Sequence, residues 1–160
     1  MRKTYPLISC YCVRDNEVAL ELPSDFGLAV REDSGLVSIQ GVEEAAEVAK
    51  KIIGARPQEH GLVLGLNSKS EIIFADIVSK GSISSAFLSP DMVFRSAIIH
   101  GCAAIIIAHN HPSGSITPSD ADRDTTRTLR SAGEILKINV LDSLIVSPDS
   151  YYSLKEKGDM

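Results

Sequence analysis

The order of apolar and polar residues along the chain predicts a mixture of helices and strands. Residues 42–53 place Val, Ala and Ile on one helical face and Glu and Lys on the other, which predicts an amphipathic helix ended by Gly54. Residues 102–108 are continuously apolar, which is typical of a strand covered on both faces. Further strands are predicted at 61–66, 71–78, 138–146 and 151–154, and further helices at 89–101 and 119–132, the last ended by Gly133. This mixture indicates an α/β or α+β sandwich.

The first 40 residues carry strand patterns and no helical one. Residues 7–13 and 18–22 are strand-like, with a hairpin turn at Asp15-Asn16 between them. We therefore divide the chain into a β-rich N-terminal extension, residues 1–41, and a domain over residues 42–160.

Charge and cysteine content restrict the class of protein. The net charge of −5 argues against non-specific electrostatic binding of nucleic acid by the whole protein, although it does not exclude a local basic groove. The apolar runs are too short to span a membrane, and Pro6 interrupts the basic N-terminus, so neither a membrane span nor a signal peptide is expected. Three cysteines cannot all pair, which favours a reduced, cytoplasmic protein. The oligomeric state stays open.

One segment combines residue types that bind metals. His109 and His111 lie two positions apart at the end of the apolar strand, so both imidazoles point to one side. A Pro/Gly/Ser loop then leads into a helix whose first turn carries Asp122. Two imidazoles and one carboxylate leave a tetrahedral Zn²⁺ its fourth position for water, the arrangement of a catalytic site.

Structural roles explain each fragment of this segment separately. Two histidines at a strand end can hydrogen-bond to loop backbone, and Ser119 with Asp122 matches a helix-capping pair. The combination favours the metal hypothesis, because half of the four histidines are spaced for one ion.

A hydrolytic zinc site also needs a base, and Glu59 is the candidate. It enters the strand predicted at 61–66, which is apolar on both faces, so it is either an exposed strand-end residue or an inward functional group. Two other glutamates are considered as the base: Glu47 lies on the solvated face of a helix, and Glu71 follows a turn.

At these residues the chain resembles the RadC family of the JAB/MPN (JAMM) zinc metalloprotease superfamily. The superfamily pattern is an upstream Glu, then His-x-His, seven residues, Ser, two residues and Asp. His109, His111, Ser119 and Asp122 match it without a gap, and the RadC-type string His-Asn-His-Pro-Ser-Gly stands intact from His109. The resemblance covers roughly residues 43–160.

This resemblance implies a fold, a cofactor and roles for the residues. The fold would be a curved mixed sheet flanked by helices, similar to that of cytidine deaminases. His109, His111 and Asp122 would ligate zinc, and Ser119 would orient the water or stabilise an oxyanion. Glu59 would activate the zinc-bound water, placed by the family's Glu-x₆-Leu-Asp strand.

The chain departs from the family pattern at three places. Ser143 stands where a histidine commonly follows Leu-Asp, and Pro90-Asp91-Met92 replaces Pro-Arg-Glu. The helix-hairpin-helix module that often precedes this domain has no counterpart in the strand-like residues 1–40. These changes concern substrate choice and nucleic-acid contacts.

Three functions follow as hypotheses. The first is a metallopeptidase or isopeptidase acting on a peptide or ubiquitin-like protein. The second is a DNA repair or DNA-processing factor, such as a nuclease or accessory protein of a mobile element or phage. The third is a binding module that keeps the metal for stability.

Overall fold

A computed structural model describes residues 37–81 and 88–160, so the strands predicted at 7–13 and 18–22 lie outside the described residues. The helices described are α1 Val42–Ala49, α2 Pro90–Ile99, α3 Asp120–Leu136 and α4 Leu154–Lys157. The strands described are β1 Val37–Ser38, β2 His60–Leu66, β3 Glu71–Lys80, β4 Ala104–Asn110, β5 Asn139–Val146 and β6 Tyr151–Ser153. A π-helical turn over Lys50–Gly54 continues α1. The predicted division at residue 41 stays a prediction.

The described strands form one mixed sheet. Their order is β1-β3-β2-β4-β5-β6, and every neighbouring pair is antiparallel except β4 and β5. Helix α3 makes the crossover between these two parallel strands, as a parallel connection requires. The expected mixed sheet flanked by helices is confirmed.

The side-chain alternation of β4 divides the core into two layers. Ile106 and Ala108 pack in the cluster that contains α1, whereas Ile105 and Ile107 pack in the cluster that contains residues of α2 and α3. The strand is therefore covered on both faces, as its continuous apolar run predicts. The same alternation carries His109 to the α3 side and Asn110 to the α1 side.

Strand β4 begins and ends two residues later than the sequence predicts. Its last residues, His109 and Asn110, pair with Ile145 and Val146 of β5. The apolar pattern ends at Ala108, but the ladder continues because backbone pairing does not depend on side-chain polarity.

The predicted end of α3 at Gly133 is wrong. The helix runs on to Leu136, and Lys137 follows in the left-handed conformation with a φ of 60°. Gly133 serves close packing instead, because a Cβ at this position would lie 2.5 Å from the carbonyl oxygen of Ile138. The strand predicted at 151–154 ends one residue early, since Ser153 caps α4 with its side chain.

Candidate metal centre

The carboxyl end of β4 meets the first turn of α3, and three candidate ligands converge there. Nε2 of His109 lies 3.2 Å from Nε2 of His111 and 3.2 Å from Oδ1 of Asp122. Nε2 of His111 lies 3.6 Å from Oδ2 of Asp122. His109 is buried, and the other two side chains are less than a fifth exposed. The roles of these residues as ligands stay predictions.

The spacing of these atoms suits a tetrahedral zinc ion. Tetrahedral ligands about 2.1 Å from zinc lie about 3.4 Å from one another. The two Nε2 atoms are 3.2 Å apart, and each faces its own oxygen of Asp122, at 3.2 Å for His109 and 3.6 Å for His111, so all three distances are near that value. Imidazole nitrogen and carboxylate oxygen are also the ligand types of hydrolytic zinc sites. The residues present therefore fit the metal that the resemblance implies.

The loop after β4 fixes the orientation of the His111 ring. Its Nδ1 lies 2.9 Å from the carbonyl oxygen of Ser115, and a carbonyl can only accept, so Nδ1 carries a proton. In the neutral ring Nε2 then keeps its lone pair for a metal. The loop returns tightly because Gly114, with a φ of +74°, donates its N–H to the carbonyl of His111.

Asp122 is held as an anion at the start of α3. Burial opposes its ionisation, but hydrogen bonds with His109 and Ser119 outweigh that effect and hold the pKa of Asp122 well below its ordinary value. The N–H and the hydroxyl of Ser119 each donate to Oδ2 of Asp122, both at 2.7 Å. The same hydroxyl oxygen accepts from the N–H of Asp122 at 3.2 Å, which completes a capping box. Capping and a place beside the site therefore coexist at Ser119.

The antiparallel register of β2 and β4 brings Glu59 to this site. Gly61 pairs with His109, so the residue two positions before Gly61 lies opposite His111. Ligand atoms of Glu59, His109 and His111 all lie within 4.8 Å of one another, and the glutamate is half-buried. Within the described residues these three side chains form a candidate metal-binding group.

The other carboxylates considered as bases lie elsewhere. Glu71 begins β3 and accepts a hydrogen bond from Nδ2 of Asn67 at 2.7 Å. It is at the opposite end of the β2–β3 hairpin from Glu59, roughly 20 Å away along the strand. Glu47 forms an ion pair with Lys50 on the surface of the molecule.

Ser143, which replaces the family histidine, faces the same region. It lines a cavity of about 20 Å³ together with His109 and Asp122. A cavity of that size has room for about one water molecule. Ser143 therefore borders a small space next to two of the predicted ligands.

Sequence reasoning missed Asn110, the residue between the two histidines. Its side chain is 1% exposed and bonds to backbone groups on both sides of Glu59. The available signal was its place between two predicted ligands, directly after an apolar strand, since an amide buried there has to find hydrogen-bond partners.

Comparison with known proteins decides the family of the chain. The model of the RadC-like JAB domain matches residues 39–159. The chain belongs to this family. Among its described helices, none has the length and hydropathy of a membrane span.

Curated relatives of the RadC-like domain carry the name UPF0758 protein. The relative from Chlorobium chlorochromatii is 34% identical over 143 residues, which cover 88% of this chain and 64% of the relative. The relative from Staphylococcus haemolyticus is 46% identical over 101 residues, which cover 63% of this chain and 44% of the relative. The relative from Rubrobacter xylanophilus is 38% identical over 131 residues, which cover 82% of this chain and 57% of the relative. The chain spans about half the length of the curated relatives it matches.

Proposed function

We propose that this RadC-like protein is a zinc-dependent metallohydrolase that cleaves peptide or isopeptide bonds. One observation carries the proposal: the Glu59 carboxylate stands beside a set of two imidazoles and one carboxylate. Three protein ligands leave a fourth position open, which distinguishes catalytic zinc sites from structural ones. A carboxylate next to that position is suited to move a proton.

Each residue has a distinct role in this reaction. His109, His111 and Asp122 would hold zinc, which polarises the substrate carbonyl and lowers the pKa of water. Glu59 accepts a proton from the attacking water and delivers it to the leaving nitrogen as the carbon–nitrogen bond breaks. The Ser119 hydroxyl orients the water or donates to the oxyanion once its single O–H turns away from Oδ2 of Asp122.

A peptide or ubiquitin-like protein is the proposed substrate class. The net charge of −5 suits a polypeptide better than a polyanionic nucleic acid. A cytoplasmic setting is supported by Cys102, which is a free, buried thiol.

The test combines metal analysis with substrate cleavage. Purified protein is incubated with ubiquitin-like isopeptide conjugates, with mixed peptides and with DNA, each with and without a chelator. We expect near-stoichiometric zinc, cleavage of an amide substrate, and loss of both on chelation. Glu59→Gln keeps the shape of the side chain but cannot accept the proton, so it should retain zinc and lose ~10²–10⁴ in rate.

Glu71→Gln is the matched control, because it makes the same chemical change at the far end of the same hairpin. It should leave the rate unchanged. Full activity of the Glu59→Gln variant would show that Glu59 is not the base. Cleavage of DNA alone would favour the DNA-processing hypothesis. A His109→Ala/His111→Ala variant that keeps all its zinc would refute the ligand assignment.

A further inference from the structure

Asn110 stands between the two predicted histidine ligands but faces the other side of the sheet. Strand alternation turns its side chain away from Asp122 and towards the segment that leads from α1 into β2. Its amide oxygen accepts the backbone N–H of His60 at 2.8 Å. Its amide nitrogen donates to the carbonyl oxygens of Arg56 and Gln58, both at 3.1 Å.

These three hydrogen bonds are made to backbone groups before and after Glu59 in the chain. Residues 56–59 precede β2 and belong to no helix or strand. On the opposite flank the carbonyl of Glu59 accepts the N–H of Gly81 at 2.7 Å. The buried amide of Asn110 therefore holds the backbone on both sides of Glu59. Nδ1 of His60, 2.8 Å from the carbonyl oxygen of Gln58, adds a second side-chain contact before Glu59.

The hydrogen-bonding groups of the segment match an asparagine side chain. The segment presents one N–H and two carbonyl oxygens to this amide, of which the carbonyl of Gln58 also contacts Nδ1 of His60 at 2.8 Å. Asparagine supplies the matching acceptor and two donors in one planar group. Aspartate has the same shape but, when ionised, no donor, and leucine has neither.

We propose that Asn110 is a positioning residue that sets the Glu59 carboxylate at the two histidines. The inference rests on the proposed function, in which Glu59 moves the proton. The strand that delivers His109 to the metal thereby also fixes the base, since consecutive side chains point to opposite faces. A shift of about 1 Å in a reacting group can cost ~10²-fold in rate.

The test uses two substitutions and one control. Asn110→Asp keeps the shape and removes both donors. Asn110→Ser removes the same two bonds without burying a charge, which covers the case in which the aspartate variant does not fold. The control is Asn67→Asp at the other end of β2, where the amide nitrogen donates to Glu71.

The effect of each variant on kcat distinguishes a positioning role for Asn110 from a purely structural one. Both Asn110 variants should keep stoichiometric zinc and lose ~10- to 100-fold in kcat, with less than about a twofold change in KM. In a Glu59→Gln background the same substitutions should change kcat by less than about threefold, because residues that act as a unit are not additive. Asn67→Asp should change neither constant.

Amide hydrogen exchange of the metal-free protein gives a readout that needs no activity. The Asn110 variants should speed exchange at residues 56–61, and Asn67→Asp should not. Loss of zinc, or equal losses of kcat with and without Glu59, would overturn the proposal. If the wild-type protein cleaves nothing, the proposed function fails separately. Unchanged exchange, with the Glu59 carboxylate unmoved in a crystal structure of Asn110→Ser, would then overturn the positioning role.

Discussion

Ser119 joins the cap of a helix to a predicted metal ligand. Its hydroxyl accepts from the N–H of Asp122 and donates to the carboxylate of the same residue. Helix capping and the catalytic role that we propose would therefore fall to one side chain, and the two roles differ in what their loss would change.

Ser119→Ala is expected to leave a folded, zinc-loaded protein with little activity. Loss of the cap should lower the free energy of unfolding by ~1 kcal/mol. Loss of a donor to the oxyanion or the water should lower kcat by ~10²–10³. Denaturant unfolding and steady-state kinetics measure the two effects.

Ser153→Ala is the control for this prediction. Ser153 caps α4 by accepting from the N–H of Glu156 at 3.0 Å, and its hydroxyl donates to the buried carboxylate of Asp142 at 2.6 Å, as that of Ser119 donates to Asp122. Its loss should affect stability without a comparable loss of turnover. A Ser119→Ala protein that is less stable but fully active would show that capping is the whole role of Ser119.

Contacts with residues outside α3 support its first turn, which carries Asp122. Arg123 donates to the carbonyl oxygen of Pro118 at 3.1 Å and forms an ion pair with Asp159 at 3.2 Å. The hydroxyl of Tyr152 donates to Asp159 at 2.6 Å. Residues near the C-terminus thus brace the first turn of α3.

Asp159→Asn should lower the melting temperature slightly at neutral pH but not at low pH. Hydrogen bonds from Tyr152 and Arg123 hold the pKa of Asp159 below its ordinary value of 3.8. Because the folded state lowers this pKa, the stabilisation is complete above the ordinary value and is lost as the pH falls through the lowered one. Thermal unfolding followed by circular dichroism at pH 7 and at low pH measures the difference.

The control for this change is Asp149→Asn, in the exposed turn between β5 and β6. It should leave the melting temperature unchanged at both pH values. A gap between wild type and Asp159→Asn that persisted at low pH would mean that the carboxylate acts by a route other than its charge.

Across residues 37–81 and 88–160, the core contains none of the candidate metal ligands. Two apolar clusters cover both faces of the sheet, and the candidate ligands lie at one end of β4. A structural zinc site would instead replace such a core, as in small zinc modules that unfold without metal.

Removal of zinc should therefore weaken the fold without abolishing it. At a free zinc concentration ~100 times the dissociation constant, binding contributes ~2.7 kcal/mol. For a chain of this size that energy corresponds to a fall of roughly 5–10 °C in melting temperature on chelation. Circular dichroism of the chelated protein at 25 °C should keep its helical and strand signal. Complete unfolding on chelation would favour the metal-stabilised module.

Much of the fold could be read from the sequence because its signals are local. Period-2 alternation in β4 placed His109 and His111 on one side, and a Ser followed three residues later by Asp122 marked the start of α3. Local signals failed at the end of α3, where Gly133 looked like a stop. A backbone carbonyl from Ile138 approaches it in space, and no pattern along the chain records that approach.

The candidate site likewise has a part that the sequence predicts and a part that only the fold provides. The sequence alone determined the two imidazoles and the carboxylate of Asp122, since a strand end, a short loop and a helix start bring them near each other. The tertiary structure decided which carboxylate approaches the two imidazoles, because the register of β2 against β4 sets Glu59 opposite His111 across about 50 residues of chain. It also decided the part played by Asn110, whose three partners lie on the neighbouring segment. Pairing between distant strands depends on the packing of the whole sheet, and no local pattern fixes it.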